Sequence, residues 1–92
     1  LRIAPDHPDS NNNLGKIFLL RKEPKRASKL FEKAISSNRK HTQALVNLGI
    51  AQSKLGLNQE AIESLSKALD LQPNHSEAIG LLEKLRIKIG NA

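Results

Sequence analysis

The chain has 92 residues, 38% hydrophobic and 26% charged, the balance of a folded domain rather than a disordered one. Fifteen lysines and arginines against nine acids give +6 and a pI near 10.0, which favours acidic partners. The absence of cysteine excludes disulfides, thiolate zinc sites and thiol nucleophiles, and no apolar run approaches the roughly 20 residues of a membrane span, so no direct membrane contact is expected.

In chain order, residues 1–7 read as the tail of a preceding unit, with "LRIA" as the last turn of a helix and the chain as a fragment of a longer array. Residues 8–41 form one unit, divided at the turn "RKEP" (21–24). In 25–36, Ala27, Leu30, Phe31, Ala34 and Ile35 recur at helical spacing, and Pro24 suits a first helical turn. Residues 42–75 form the next unit, divided at "KLGLN" (54–58). Here Ala44, Leu45, Leu48, Ala51 and Leu55 share a face, and Thr42 stands where an N-cap oxygen is wanted. Asn58 is placed to cap the following helix, with Leu57 and Ile62 as a hydrophobic staple. Residues 76–92, opened by Ser76 as N-cap, carry Ala78, Ile79, Leu82, Leu85 and Ile89 on one stripe. Glu83 and Arg86 occupy positions where a second helix would pack, so this segment reads as a half unit or a solubilising C-terminal cap.

The division rests on a 34-residue period. Sliding the chain by 34 brings Asn13-Leu14-Gly15 onto Asn47-Leu48-Gly49, Ala27 onto Ala61, Phe31 onto Leu65 and Lys33-Ala34 onto Lys67-Ala68. The three histidines, His7, His41 and His75, follow the same ruler. Consecutive copies are separated by two packed helices at about 8–10 Å each, while zinc–nitrogen bonds are about 2.0–2.1 Å, so they cannot share a metal ion.

The stretch 44–74, with Leu45, Leu48-Gly49, Ala61, Leu65, Ala68 and Pro73, resembles a tetratricopeptide repeat, a 34-residue helix–turn–helix unit. Residues 8–41 resemble it more loosely: Asn11 replaces the large apolar residue, Lys22 the turn glycine and Arg39 the proline. The resemblance implies an all-α, right-handed α-solenoid of antiparallel helix pairs. It also implies a concave face, lined by each unit's first helix, that receives a peptide or a partner's helix.

Helical geometry gives 42–55 a second face, away from the core stripe, holding Gln43, Val46, Asn47, Ile50, Ser53 and Lys54. Asn12, Asn13, Lys16 and Leu20 stand on its equivalent before it, and Leu81, Lys84 and Lys88 after it. A carboxamide offers both a donor and an acceptor, so Asn13 and Asn47 could read the backbone of an extended peptide. This resembles the asparagine ladder of some superhelical members of the family, with the ladder broken here at Leu81. Lys16, Lys54, Lys84 and Lys88 would favour acidic peptides. Family members that bind chaperone C-termini grip the terminal carboxylate with a basic pair, but Glu77 and Leu81 hold those positions, which argues against that ligand.

A second basic cluster, Lys25, Arg26, Lys29 and Lys33 with Arg21 and Lys22, lies opposite the apolar stripe of 25–36. It could meet phosphate or an acidic protein surface, although solvated outer faces often look like this. With no Trp or Tyr and only Phe18 and Phe31, stacking platforms for bases are nearly missing, so nucleic acid is the less favoured partner. No nucleophile–base–orienter set and no Gly-rich loop after a strand is recognisable, so neither catalysis nor a cofactor is expected. The leading expectation is a scaffold that binds a protein or peptide. The alternatives are an accessory domain of a larger enzyme or assembly and a basic nucleic-acid adaptor, and self-association through the N-terminal end is a further expectation.

Overall fold

The computed structural model describes residues 7–90, which form five helices: α1 (Pro8–Leu20), α2 (Pro24–Ser37), α3 (Thr42–Lys54), α4 (Asn58–Leu71) and α5 (Ser76–Gly90). The expectations for residues 1–6 and for the last two residues lie outside this range. Each helix packs on the next in sequence, and α3 also touches α1 and α5. The first helices α1, α3 and α5 therefore form one layer, and α2 and α4 form the other. The result is an α-solenoid, 41 × 27 × 17 Å in extent.

The two glycines that align under the 34-residue shift explain the close approach within each pair. A Cβ on Gly15 would stand 2.5 Å from the Phe31 ring, and one on Gly49 would stand 2.8 Å from Leu65. Large side chains of α2 and α4 thus seat directly on bare backbone of α1 and α3, and Phe31 and Leu65 are among the largest fully buried residues. The core continues through Ala27, Leu48 and Ala51 on one side and through Leu45, Ala61, Ala68, Ala78, Leu82 and Leu85 on the other.

The two intra-unit turns share one hydrogen-bond pattern. Lys22 N–H donates to Leu19 C=O and Glu23 N–H to Phe18 C=O; Gly56 N–H donates to Ser53 C=O and Leu57 N–H to Gln52 C=O. This is the Schellman closure, which needs a left-handed residue just past the helix end. Gly56 supplies it at φ +81°, and Lys22 adopts the same region at φ 61°. The departure noted at Lys22 changes the side chain but not the turn.

The helix starts differ from expectation. Thr42 and Ser76 do not cap α3 and α5; the histidine before each does. Ala44 N–H donates to His41 Nδ1 (3.1 Å), and Ala78 N–H donates to His75 Nδ1 (3.2 Å). An imidazole nitrogen accepts here as a hydroxyl or carboxylate oxygen would. His7 holds the same position before α1 without a side-chain bond. The 34-residue histidine ruler therefore marks a repeated N-cap. Asn58 does not cap α4: it is the first helical residue, after Leu57, and its buried Oδ1 meets no donor.

Candidate peptide-binding face

The face proposed from helical geometry is partly buried by the neighbouring first helices. Val46, expected in the groove, is fully buried in the core with Leu45 and Ala61, and Leu81 packs on the same cluster. Helix α5 covers the flank of α3 that a single-helix projection leaves open. Asn12 and Asn47 are likewise buried, Asn47 to 4% exposure. Asn47 Nδ2 donates to Asn12 Oδ1 (2.9 Å), and Gln43 Nε2 donates to Asn47 Oδ1 (3.1 Å).

The expected pair of equivalent rungs is therefore placed unequally. Asn13 is exposed, whereas Asn47 is held by α1 and by its own helix. Asn47 has α1 packed alongside it, and among the described residues no helix lies beyond α1 to do the same for Asn13. Position in the repeat alone does not determine exposure.

What remains open is basic and partly apolar. Lys16, Lys54, Lys84 and Lys88 are exposed on α1, α3 and α5, and Leu20 is 85% exposed at the end of α1. Between α3 and α5 a hollow of about 150 Å³ brings together Ile50, Ser53, Lys54 and Leu81 of the expected face, with Gly49 and Leu65 beside them. Gln43, half-buried, stands beside Asn47. The six basic residues of the outer cluster are all exposed: Arg21 and Lys22 in the turn, Lys25, Arg26, Lys29 and Lys33 along α2. Arg26 sits 5.8 Å from the centre of the Phe18 ring and 3.3 Å from a Glu23 carboxylate oxygen.

Sequence reasoning missed a cleft of about 720 Å³ on the outer side. Its floor is Leu45 and Leu48 of α3, and its walls are Ile35 of α2 and Leu71 of α4, with Glu32, Arg39, Lys67 and Asp70 at the rim. No Cα of α2 comes within 8 Å of one in α4. The second helices splay apart over a first helix, and no pattern within a single helix reports the space between two others. His41 was also missed as a link between α1 and the start of α3. With Nδ1 accepting from Ala44, Nε2 carries the proton and donates to Asp9 Oδ1 of α1 at 2.8 Å. Among the described residues no group of three or more His, Asp or Glu is placed to hold a metal ion.

These features are those of a helical-repeat interaction module. The tetratricopeptide repeat family matches residues 18–85, three quarters of the chain, and the chain belongs to that family. It is 36% identical over 66 residues to BBSome complex member BBS4 of Bos taurus, in a match that covers 72% of this chain and 13% of that protein. The chain thus spans about an eighth of that relative's length. Among solved structures it is similar to the first TPR of Spaghetti (RPAP3) bound to the HSP90 peptide SRMEEVD, at TM-score 0.91 and 27% identity over 94% of this chain and 68% of that one. The first TPR domain of human RPAP3 gives TM-score 0.91 and 26% identity, covering 95% and 68%. In the first of these structures the fold holds a peptide of another protein.

Proposed function

We propose that this chain is a non-catalytic scaffold whose concave face, formed by α1, α3 and α5, holds an extended acidic peptide. The observation that carries the reading is the set of exposed lysines on successive first helices, Lys16, Lys54, Lys84 and Lys88, with Lys54 lining the apolar hollow of Ile50 and Leu81. Lysines at a solvent-lapped face steer and orient an acidic segment, while the apolar patch supplies the desolvated contact. Asn13 is free to pair with a peptide amide. Asn47 joins it only by leaving Asn12, an exchange of one amide partner for another.

The structural neighbour holds an acidic peptide that ends in a carboxylate. In this chain Glu77 and Leu81 stand where a basic pair would grip that end, so internal acidic residues, not the terminus, are the feature read. Titration of isotope-labelled chain with SRMEEVD and with its C-terminal amide tests both statements. The expected result is weak binding of equal strength for the two, with amide shifts on α1, α3 and α5 that diminish in Asn13→Ala and in Lys54→Glu/Lys84→Glu. Loss of binding on amidation would restore end recognition. Shifts absent from all three helices would remove the groove reading.

A further inference from the structure

The net charge of this protein is not spread over its units. Between Pro8 and His41 nine lysines and arginines stand against three acids, a net of +6; between Thr42 and His75 two stand against three, a net of −1. The outer helices make the contrast sharp, because the repeat supplies its own control. Where α2 has Lys25, Arg26 and Lys29, the same positions of α4 hold Gln59, Glu60 and Glu63. A solvated outer face therefore does not require cations in this fold, and α4 manages with carboxylates.

A second observation is independent of charge. Lys22 is held at φ 61° in the Schellman turn that the next unit closes with Gly56. A side chain in the left-handed region strains the backbone, and residues held in that region cluster at functional sites. Lys22 projects from the turn that delivers α2, beside Arg21 and one helical turn before Lys25 and Arg26. Arg26 lies near the Phe18 ring and pairs with Glu23. The exposed Lys25, Lys29 and Lys33 recur every four residues, a rise of about 6 Å per step.

We propose that the α1–α2 turn and the outer face of α2 form a second docking surface, whose occupant is an acidic polypeptide segment with carboxylates about one helical turn apart. Charge complementarity sets the sign of the partner, and the lysine spacing matches Glu or Asp at every fourth position of a helix. Glu23 and Glu32 interrupt the face and would repel a continuous phosphate backbone. No exposed aromatic side chain is present on it to stack a base. The surface lies on the layer opposite the concave face, so it stands whether or not a peptide occupies the groove.

The test uses a fluorescent alanine-based helical peptide with glutamate at every fourth position, its glutamine counterpart and a short RNA duplex, each titrated at low and moderate salt. Binding of the glutamate peptide, with amide shifts centred on residues 21–33, is the expected result, and it should weaken with salt. Lys25→Glu/Lys29→Glu should reduce the affinity read from the shifts at residues 21–33 roughly tenfold, whereas the groove variant Lys54→Glu/Lys84→Glu should leave the shifts at residues 21–33 in place. Lys22→Gly discriminates most sharply: it should weaken binding several-fold while raising the melting temperature, a pair of opposite effects that a merely structural Lys22 would not give. Tighter binding of the RNA duplex than of the glutamate peptide would overturn the assignment to a polypeptide. Equal binding of the glutamine peptide, or shifts confined to α1, α3 and α5, would overturn the surface.

Discussion

Two seams join successive first helices, and they are made from the same repeat positions with opposite chemistry. Between α1 and α3 the positions hold Asn12 and Asn47, joined by a buried amide–amide hydrogen bond. One unit on, they hold Val46 and Leu81, packed in the apolar core. Both seams close the same solenoid, so stacking does not demand one kind of contact. A buried amide pair gives modest net stability while both members are satisfied but penalises any partner that leaves one unpaired. The first seam is thereby selective about what sits against it, while the second accepts any apolar side chain that fits.

The sharpest way to break the comparison is to place the polar residue in the apolar seam. Val46→Asn would bury a carboxamide opposite Leu81, which offers neither donor nor acceptor, and would remove a fully buried aliphatic side chain. The two losses together should destabilise by about 3 kcal/mol, read as a lowered urea midpoint with an unchanged slope. A loss below about 1 kcal/mol would mean that water reaches this seam.

The intra-unit contacts should differ in a graded way. At Gly15 an added methyl meets the rigid Phe31 ring, whereas at Gly49 it meets the branched end of Leu65 and, less closely, the Ala61 carbonyl. Leucine can change rotamer and a seated aromatic ring cannot move without displacing the core. Gly15→Ala should therefore destabilise by about 2 kcal/mol and Gly49→Ala by about 1 kcal/mol, each reduced by the helix propensity alanine gains. Paired thermal melts decide it, and a reversed order would show that Phe31 is less fixed than its burial implies.

A double-mutant cycle addresses the polar seam directly. Asn12→Val alone leaves the Asn47 amide buried without its partner and should destabilise by about 1–2 kcal/mol. Asn12→Val/Asn47→Leu copies the second seam into the first and should recover most of that loss, giving a coupling of about 1 kcal/mol. Simple additivity would mean that the hydrogen bond contributes little to holding α1 on α3.

The helices and their stacking were legible because the repeat offers the same core pattern twice: Ala27, Phe31 and Ala34 announce Ala61, Leu65 and Ala68 before any coordinates. The candidate face was legible only in part. A helical projection separates Val46 and Asn47 from the core stripe but does not know that α1 and α5 flank α3, so it exposes residues that tertiary packing buries. Lys16, Lys54, Lys84 and Lys88 remained open because long charged side chains reach solvent even beside a covered seam. The histidine caps were hidden for a different reason. A nearby threonine or serine is the commoner capping residue, and only the placement of the ring shows that Nδ1 takes the amide instead.

The smallest effect expected concerns the turns, and it is a difference of two opposing terms. Lys22 in the left-handed region is strained by about 1–2 kcal/mol relative to glycine. Replacing it with glycine relieves that strain but gives the unfolded chain more conformations, which returns about 0.4–1 kcal/mol. Lys22→Gly should therefore stabilise by only about 0.5–1 kcal/mol, and Gly56→Lys should destabilise by a similar amount, because the two turns share their hydrogen bonds. Nothing lies within 4 Å of the Cβ position at Gly56, so the second substitution tests the backbone alone. Chemical denaturation of the two variants side by side checks the symmetry. If Gly56→Lys were neutral, the left-handed turn would carry no strain for lysine, and the retention of Lys22 would need no explanation beyond its charge.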